Sequence, residues 1–92
     1  MREIIFDTET TGFDPQNGDR MVEIGCIEMI DRIETGQSFH CYYNPERPMP
    51  KAAENVHGLS DVFLSDKKLF ASGAEELLDF LGDANLVAHN AQ

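Results

Sequence analysis

Apolar residues fall into short alternating runs near the start of this chain and a helical stripe near its end. Arg2 to Phe6, with Ile4-Ile5-Phe6 at its centre, predicts a first, buried strand. Asp14-Pro15 through Gly18-Asp19 has loop chemistry, since Pro fixes φ and Asp, Asn and Gly favour turns. Met21 to Ile30 predicts a second strand, with Val22, Ile24, Cys26 and Ile30 on one face and Met21, Ile27 and Met29 on the other. Apolar residues on both faces place it inside the sheet. Glu23 and Glu28 break the pattern and read as strand-edge charges or partners of Arg2 or Arg20. Asp31 to Gly36 is the connector to a third strand, Gln37 to Tyr43, too close for anything but an antiparallel hairpin. Asn44-Pro45, Pro48 and Pro50 then stop the sheet.

Lys51 to Val56 has helix-forming composition and stops near Gly58; Ser60 to Leu69 mixes one helical turn with loop. Phe70, Ala74, Leu77, Leu78 and Leu81 recur at helical spacing, with Glu75, Glu76 and Asp79 toward water. Ser72 and Glu75 have capping-box spacing, although the stripe begins a turn earlier. Gly82 is the stop. Leu86-Val87-Ala88 predicts a fourth strand, parallel to the first because a helix precedes it. The expected class is α/β: a mixed sheet, strands one to three antiparallel and strand four parallel to strand one, with flanking helices.

Ninety-two residues allow one small domain, and 41% hydrophobic content is that of a globular chain. No apolar run of membrane-spanning length and no secretory leader is found, so a membrane role is not expected. Cys26 and Cys41 lack metal-ligand spacing and read as reduced thiols of a cytoplasmic protein. A net charge of −10 argues against nucleic-acid binding by bulk electrostatics. Bound cations invert the charge of a site locally, which leaves a weak, short-footprint contact open.

The candidate chemistry lies in Phe6-Asp7-Thr8-Glu9-Thr10-Thr11-Gly12. Residues two apart on a strand share a face, so Asp7 and Glu9 project side by side. Such a pair is either a solvated strand end or a seat for a hard cation that relieves the repulsion. The whole string after an apolar strand resembles the first motif of the DEDD 3′–5′ exonucleases, and within them the epsilon-type proofreading subunits of bacterial DNA polymerase III.

That resemblance implies a ribonuclease-H-like architecture and two divalent ions, Mg²⁺ or Mn²⁺, with Asp7 and Glu9 as catalytic metal ligands. It also implies a terminal nucleotide received by Thr10, Thr11, Gly12 and Phe13. Val56-His57-Gly58 resembles the segment the family sets against that nucleotide, which makes Val56 and His57 substrate contacts and leaves the general base elsewhere. Ala52 stands where close relatives often carry an acid. Leu86 to Ala91 resembles the opening of the second motif, with Asn90 a substrate contact and His89 structural. The metal-binding Asp that follows it in the family, and the third motif with its His, are not in this sequence.

Residues 1–92 are therefore expected to be the N-terminal part of one exonuclease domain, truncated and inactive alone. The implied activity is removal of nucleoside 5′-monophosphates from a single-stranded or frayed DNA 3′ end, with a polymerase catalytic subunit as partner. An RNA-trimming exonuclease of the same fold and a non-catalytic, acidic protein-binding module stay open. The truncation is also expected to leave part of the sheet uncovered.

Overall fold

The computed structural model describes residues 1–12 and 20–89. The loop expected at 14–19 lies outside them. β1 (Arg2–Thr10), β2 (Met21–Ile30) and β3 (Ile33–Tyr42) are followed by α1 (Lys51–His57), α2 (Asp61–Leu64), α3 (Phe70–Leu81) and β4 (Asn85–Ala88). The sheet order is β3-β2-β1-β4, with β1 antiparallel to β2 and parallel to β4, and β2 antiparallel to β3. That is the expected mixed sheet, with β2 in its interior.

β1 runs past Phe6 to Thr10 because its pairing with β2 continues through Asp7↔Gly25 and Glu9↔Glu23. The hairpin turn is only Asp31-Arg32, both at positive φ (51° and 69°), a two-residue turn that matches the strands' twist. The expected connector, Asp31 to Gly36, is thus corrected: Thr35, Gly36 and Gln37 lie within β3 and bulge opposite Glu28, as pairing shifts from Ile27↔Ser38 to Met29↔Glu34. Gly36, at φ 90°, supplies the conformation the bulge needs.

α3 covers one face of the sheet. Ile4, Ile24, Cys26, Tyr43 and Leu77 are buried there, with Phe39, Phe80 and Leu81 packed around them. A second cluster, Val22, Met49 and Leu64, lies beneath Ala53 and Leu59. The shift in β1–β2 register at Glu9/Thr10 separates the two. It turns Met21 into the first cluster and Val22 into the second, where alternation alone placed them the other way about. Ile30, placed on one face with Val22, Ile24 and Cys26 by alternation, is exposed beside the turn, and Leu78 is exposed on α3.

α3 begins at Phe70 with no side-chain cap, so the Ser72–Glu75 box does not form; Ser72 N–H already donates to the Leu69 carbonyl inside the first turn. At the other end the Arg2 guanidinium donates to the Phe80 and Leu81 carbonyls and pairs with Glu28 at 2.5 Å. These are last-turn carbonyls with no partner inside the helix, so one side chain of β1 ties α3 to the sheet. α1 ends at Gly58 (φ 75°), and the Ser60 hydroxyl caps α2 by accepting from Phe63 N–H. Among the described residues no helix is long and apolar enough to cross a membrane.

Candidate active site

The sheet face opposite α3 forms a grid through the strand register. One rung carries Asp7, Gly25 and His40 on β1, β2 and β3; the next carries Glu9, Glu23 and Tyr42. Asp7 is exposed, Glu9 half-buried, and neither side chain is ion-paired or hydrogen-bonded to another described residue. Gly25 contributes no side chain, which leaves the lane beside Asp7 open, and the His40 ring edges over it, 3.7 Å from where a Cβ would stand. A cleft of about 430 Å³ follows this lane, lined by Asp7, Ile5, Ile27, His40 and His89. His89 reaches it from the end of β4, where its N–H donates to the Phe6 carbonyl at 2.8 Å.

Two hard-oxygen donors on one face, their lone pairs unspent, fit Mg²⁺ or Mn²⁺. They fill a minority of the roughly six positions such an ion requires. Among the described residues no group of three or more His, Cys, Asp or Glu side chains is placed to hold a metal ion.

The turn after β1 is held on three sides. The Thr10 hydroxyl donates to the Gly12 carbonyl. Thr11, 1% exposed, donates its N–H to the Arg20 carbonyl and accepts from Arg20 N–H on its hydroxyl, both at 2.9 Å. His57 supplies the third contact, from the end of α1. Its Nδ1 lies 3.1 Å from Leu59 N–H, which only donates, and its Nε2 lies 3.1 Å from the Thr10 carbonyl, which only accepts. The ring is therefore the Nε2–H tautomer with both nitrogens engaged. His57 braces the turn and has no free nitrogen for proton transfer. Val56 beside it is 71% exposed.

Phe13 and Asn90 lie outside the described residues. The structure brings Asp7, Glu9, Thr10, Thr11, Gly12 and His57 to one end of the sheet. Gly25 and His40, which sequence reasoning passed over, join them, as does His89, which was read as structural. Alternation along Ser38, His40 and Tyr42 held a signal, but only with the register in hand. Glu23 also differs from expectation: it pairs with His40 at 2.5 Å, while Arg20 pairs with Glu46.

The DNA polymerase III subunit epsilon of Rickettsia typhi is 56% identical over 91 residues, covering 99% of this chain and 40% of that protein. Its Escherichia coli counterpart is 44% identical over 94 residues, covering 98% and 39%. The chain thus spans about 40% of the length of these curated relatives. Among solved structures, exonuclease X in complex with 5′ overhanging duplex DNA superposes with a TM-score of 0.73 at 27% identity, over 97% of this chain and 49% of that one. Product-bound exonuclease I gives 0.84 at 18% identity, over 97% and 22%, a likeness of fold alone. The ribonuclease-H-like exonuclease architecture follows from these superpositions. Residues 4–92, with the Asp7–Glu9 strand at their head, match the RNase_T exonuclease family, and the chain belongs to it.

Proposed function

We propose that residues 1–92 are the N-terminal part of a single 3′–5′ exonuclease domain of the DNA polymerase III epsilon type. It proofreads in the cytoplasm beside a polymerase catalytic subunit. The observation that carries this reading is the Asp7–Glu9 pair, unpartnered on one face, immediately before a turn braced by His57. The names of the epsilon relatives support the DNA substrate.

Hydrolysis adds one water across the terminal phosphodiester. The P–O3′ bond breaks, the shortened strand keeps a 3′ hydroxyl, and the last nucleoside leaves with a 5′ phosphate. Asp7 and Glu9, with carboxylates from outside these residues, would hold two Mg²⁺ or Mn²⁺ ions, which supply a nucleophilic water and compensate charge on the leaving oxygen. The chain's own part is placement. Thr10, Thr11 and Gly12 present a fixed backbone to the terminal nucleotide, and Val56 offers an exposed apolar contact beside it. Glu9 follows Asp7 on the same face, so both carboxylates reach the site from one rigid strand.

The test is Mn²⁺-dependent trimming of a DNA oligomer with a mispaired 3′ end, by the complete protein of which residues 1–92 are the proposed part, and by its Asp7→Ala variant. The rate is expected to fall by more than about 100-fold, because even outer-shell partners of metal ligands cost 10–100-fold. An unchanged rate in a folded variant overturns the site. Preference for a matched RNA oligomer would overturn the DNA assignment and leave the site standing.

A further inference from the structure

Glu9 and Glu23 are direct cross-strand partners on the face that carries Asp7. Like charges opposite each other on adjacent strands destabilise a sheet. Glu23 is three-quarters buried and holds His40 Nε2 through Oε2 alone; its Oε1 has no partner among the described residues. His40 in turn packs edge-on against Tyr42, with ring centroids 4.7 Å apart, and sits across Gly25 from Asp7. The carboxylate opposite Glu9 is therefore clamped from the β3 side, with one oxygen unspent.

We infer that Glu23 is a positioning residue of the ion site: an outer carboxylate, oriented by His40, whose charge stands behind Glu9 and strengthens cation binding. The inference rests on the reading of Asp7 and Glu9 as ion ligands. It gives the Glu9–Glu23 juxtaposition a use, since a cation at Glu9 turns a repulsion into an attraction for both carboxylates. Clamping by His40 keeps Glu23 from swinging into the open lane at Gly25.

The experiment is calorimetric titration of the full-length chain with Mn²⁺ alone, for wild type, Glu23→Gln and Asp7→Ala, with the melting temperature read with and without Mn²⁺. Glu23→Gln keeps the shape and a hydrogen bond to His40 but removes the charge. The expected result is a loss of Mn²⁺ affinity of about 10-fold or more, in the range of outer-shell partners, with a smaller Mn²⁺-induced rise in melting temperature. A Glu23 that only ties β2 to β3 would lower both melting temperatures equally and leave the Mn²⁺ affinity unchanged; that result overturns the inference. Asp7→Ala separates the two levels. If it abolishes binding while Glu23→Gln does not weaken it, only the role of Glu23 falls; if it leaves binding intact, the ion site falls as well.

Discussion

Tyr43 is wholly buried in the main core, against Phe70 and beneath Gly73, yet its hydroxyl has no hydrogen-bond partner among the described residues. Burial, more than the neighbouring Cys41 and Cys26 thiols, pushes its phenol above the ordinary range. A buried, unsatisfied hydroxyl costs stability, whereas Phe retains the ring and its edge contact. Tyr43→Phe is therefore expected to stabilise the protein by about 1 kcal/mol. A urea melt reads this as a higher midpoint at unchanged slope, and a lower midpoint would show that the hydroxyl has a partner. His57 is the opposite case at the same scale. Both of its nitrogens are spent on the turn, so its contribution is shape and not proton transfer.

At the scale of elements, Arg2 joins β1, β2 and α3. Arg2→Met loses two hydrogen bonds to the last carbonyls of α3, worth about 1 kcal/mol each, besides the contact with Glu28. Arg2, with the Thr35 hydroxyl second, holds the Glu28 carboxyl below the usual carboxylate range. A depressed carboxylate contributes stability above its unfolded pKa and loses it as pH falls through the lowered, folded one. The gap between wild type and Arg2→Met should thus narrow as pH drops below about 4, the ordinary glutamate range. Thermal melts at a series of pH values check this, and a gap that widened in acid would contradict it.

The elements that were legible in the sequence are those set by local period. β2 emerges from alternation with the bounds expected, α3 spans its apolar stripe from Phe70 to Leu81, and β4 begins one residue before Leu86. The Asp7–Glu9 pair was legible for the same reason, since two positions apart on a strand fixes a shared face. The hairpin was misplaced because Asp31-Arg32 adopts positive φ without the glycine that usually announces such a turn. The exchange of Met21 and Val22 between clusters follows from a register shift that leaves no mark in the periodicity. Gly25, His40 and Glu23 are neighbours of Asp7 and Glu9 only across strands. Their relevance depends on register, which alternation does not carry.

For the whole molecule, the proposed nucleic-acid substrate has to be reconciled with 17 acidic and 7 basic residues. The fold answers locally: α3 occupies one face of the sheet, and the other presents Asp7 and Glu9 without cationic partners among the described residues. The apolar side chains of Ile27 and Val87 are about two-fifths exposed, and Ile27 lines the cleft beside Asp7. The 92 residues thus carry the two carboxylates of the proposed ion site and a sheet with exposed apolar side chains, and they span about 40% of the relatives' length. The most direct measurement is a calorimetric Mn²⁺ titration of this chain and its Asp7→Ala variant, with circular dichroism confirming that both are folded. Binding to the wild type that disappears in the variant is the predicted result. A folded wild-type chain that binds no Mn²⁺, or a variant that binds as well, would contradict the assignment of Asp7 and Glu9 as the ion ligands of these residues.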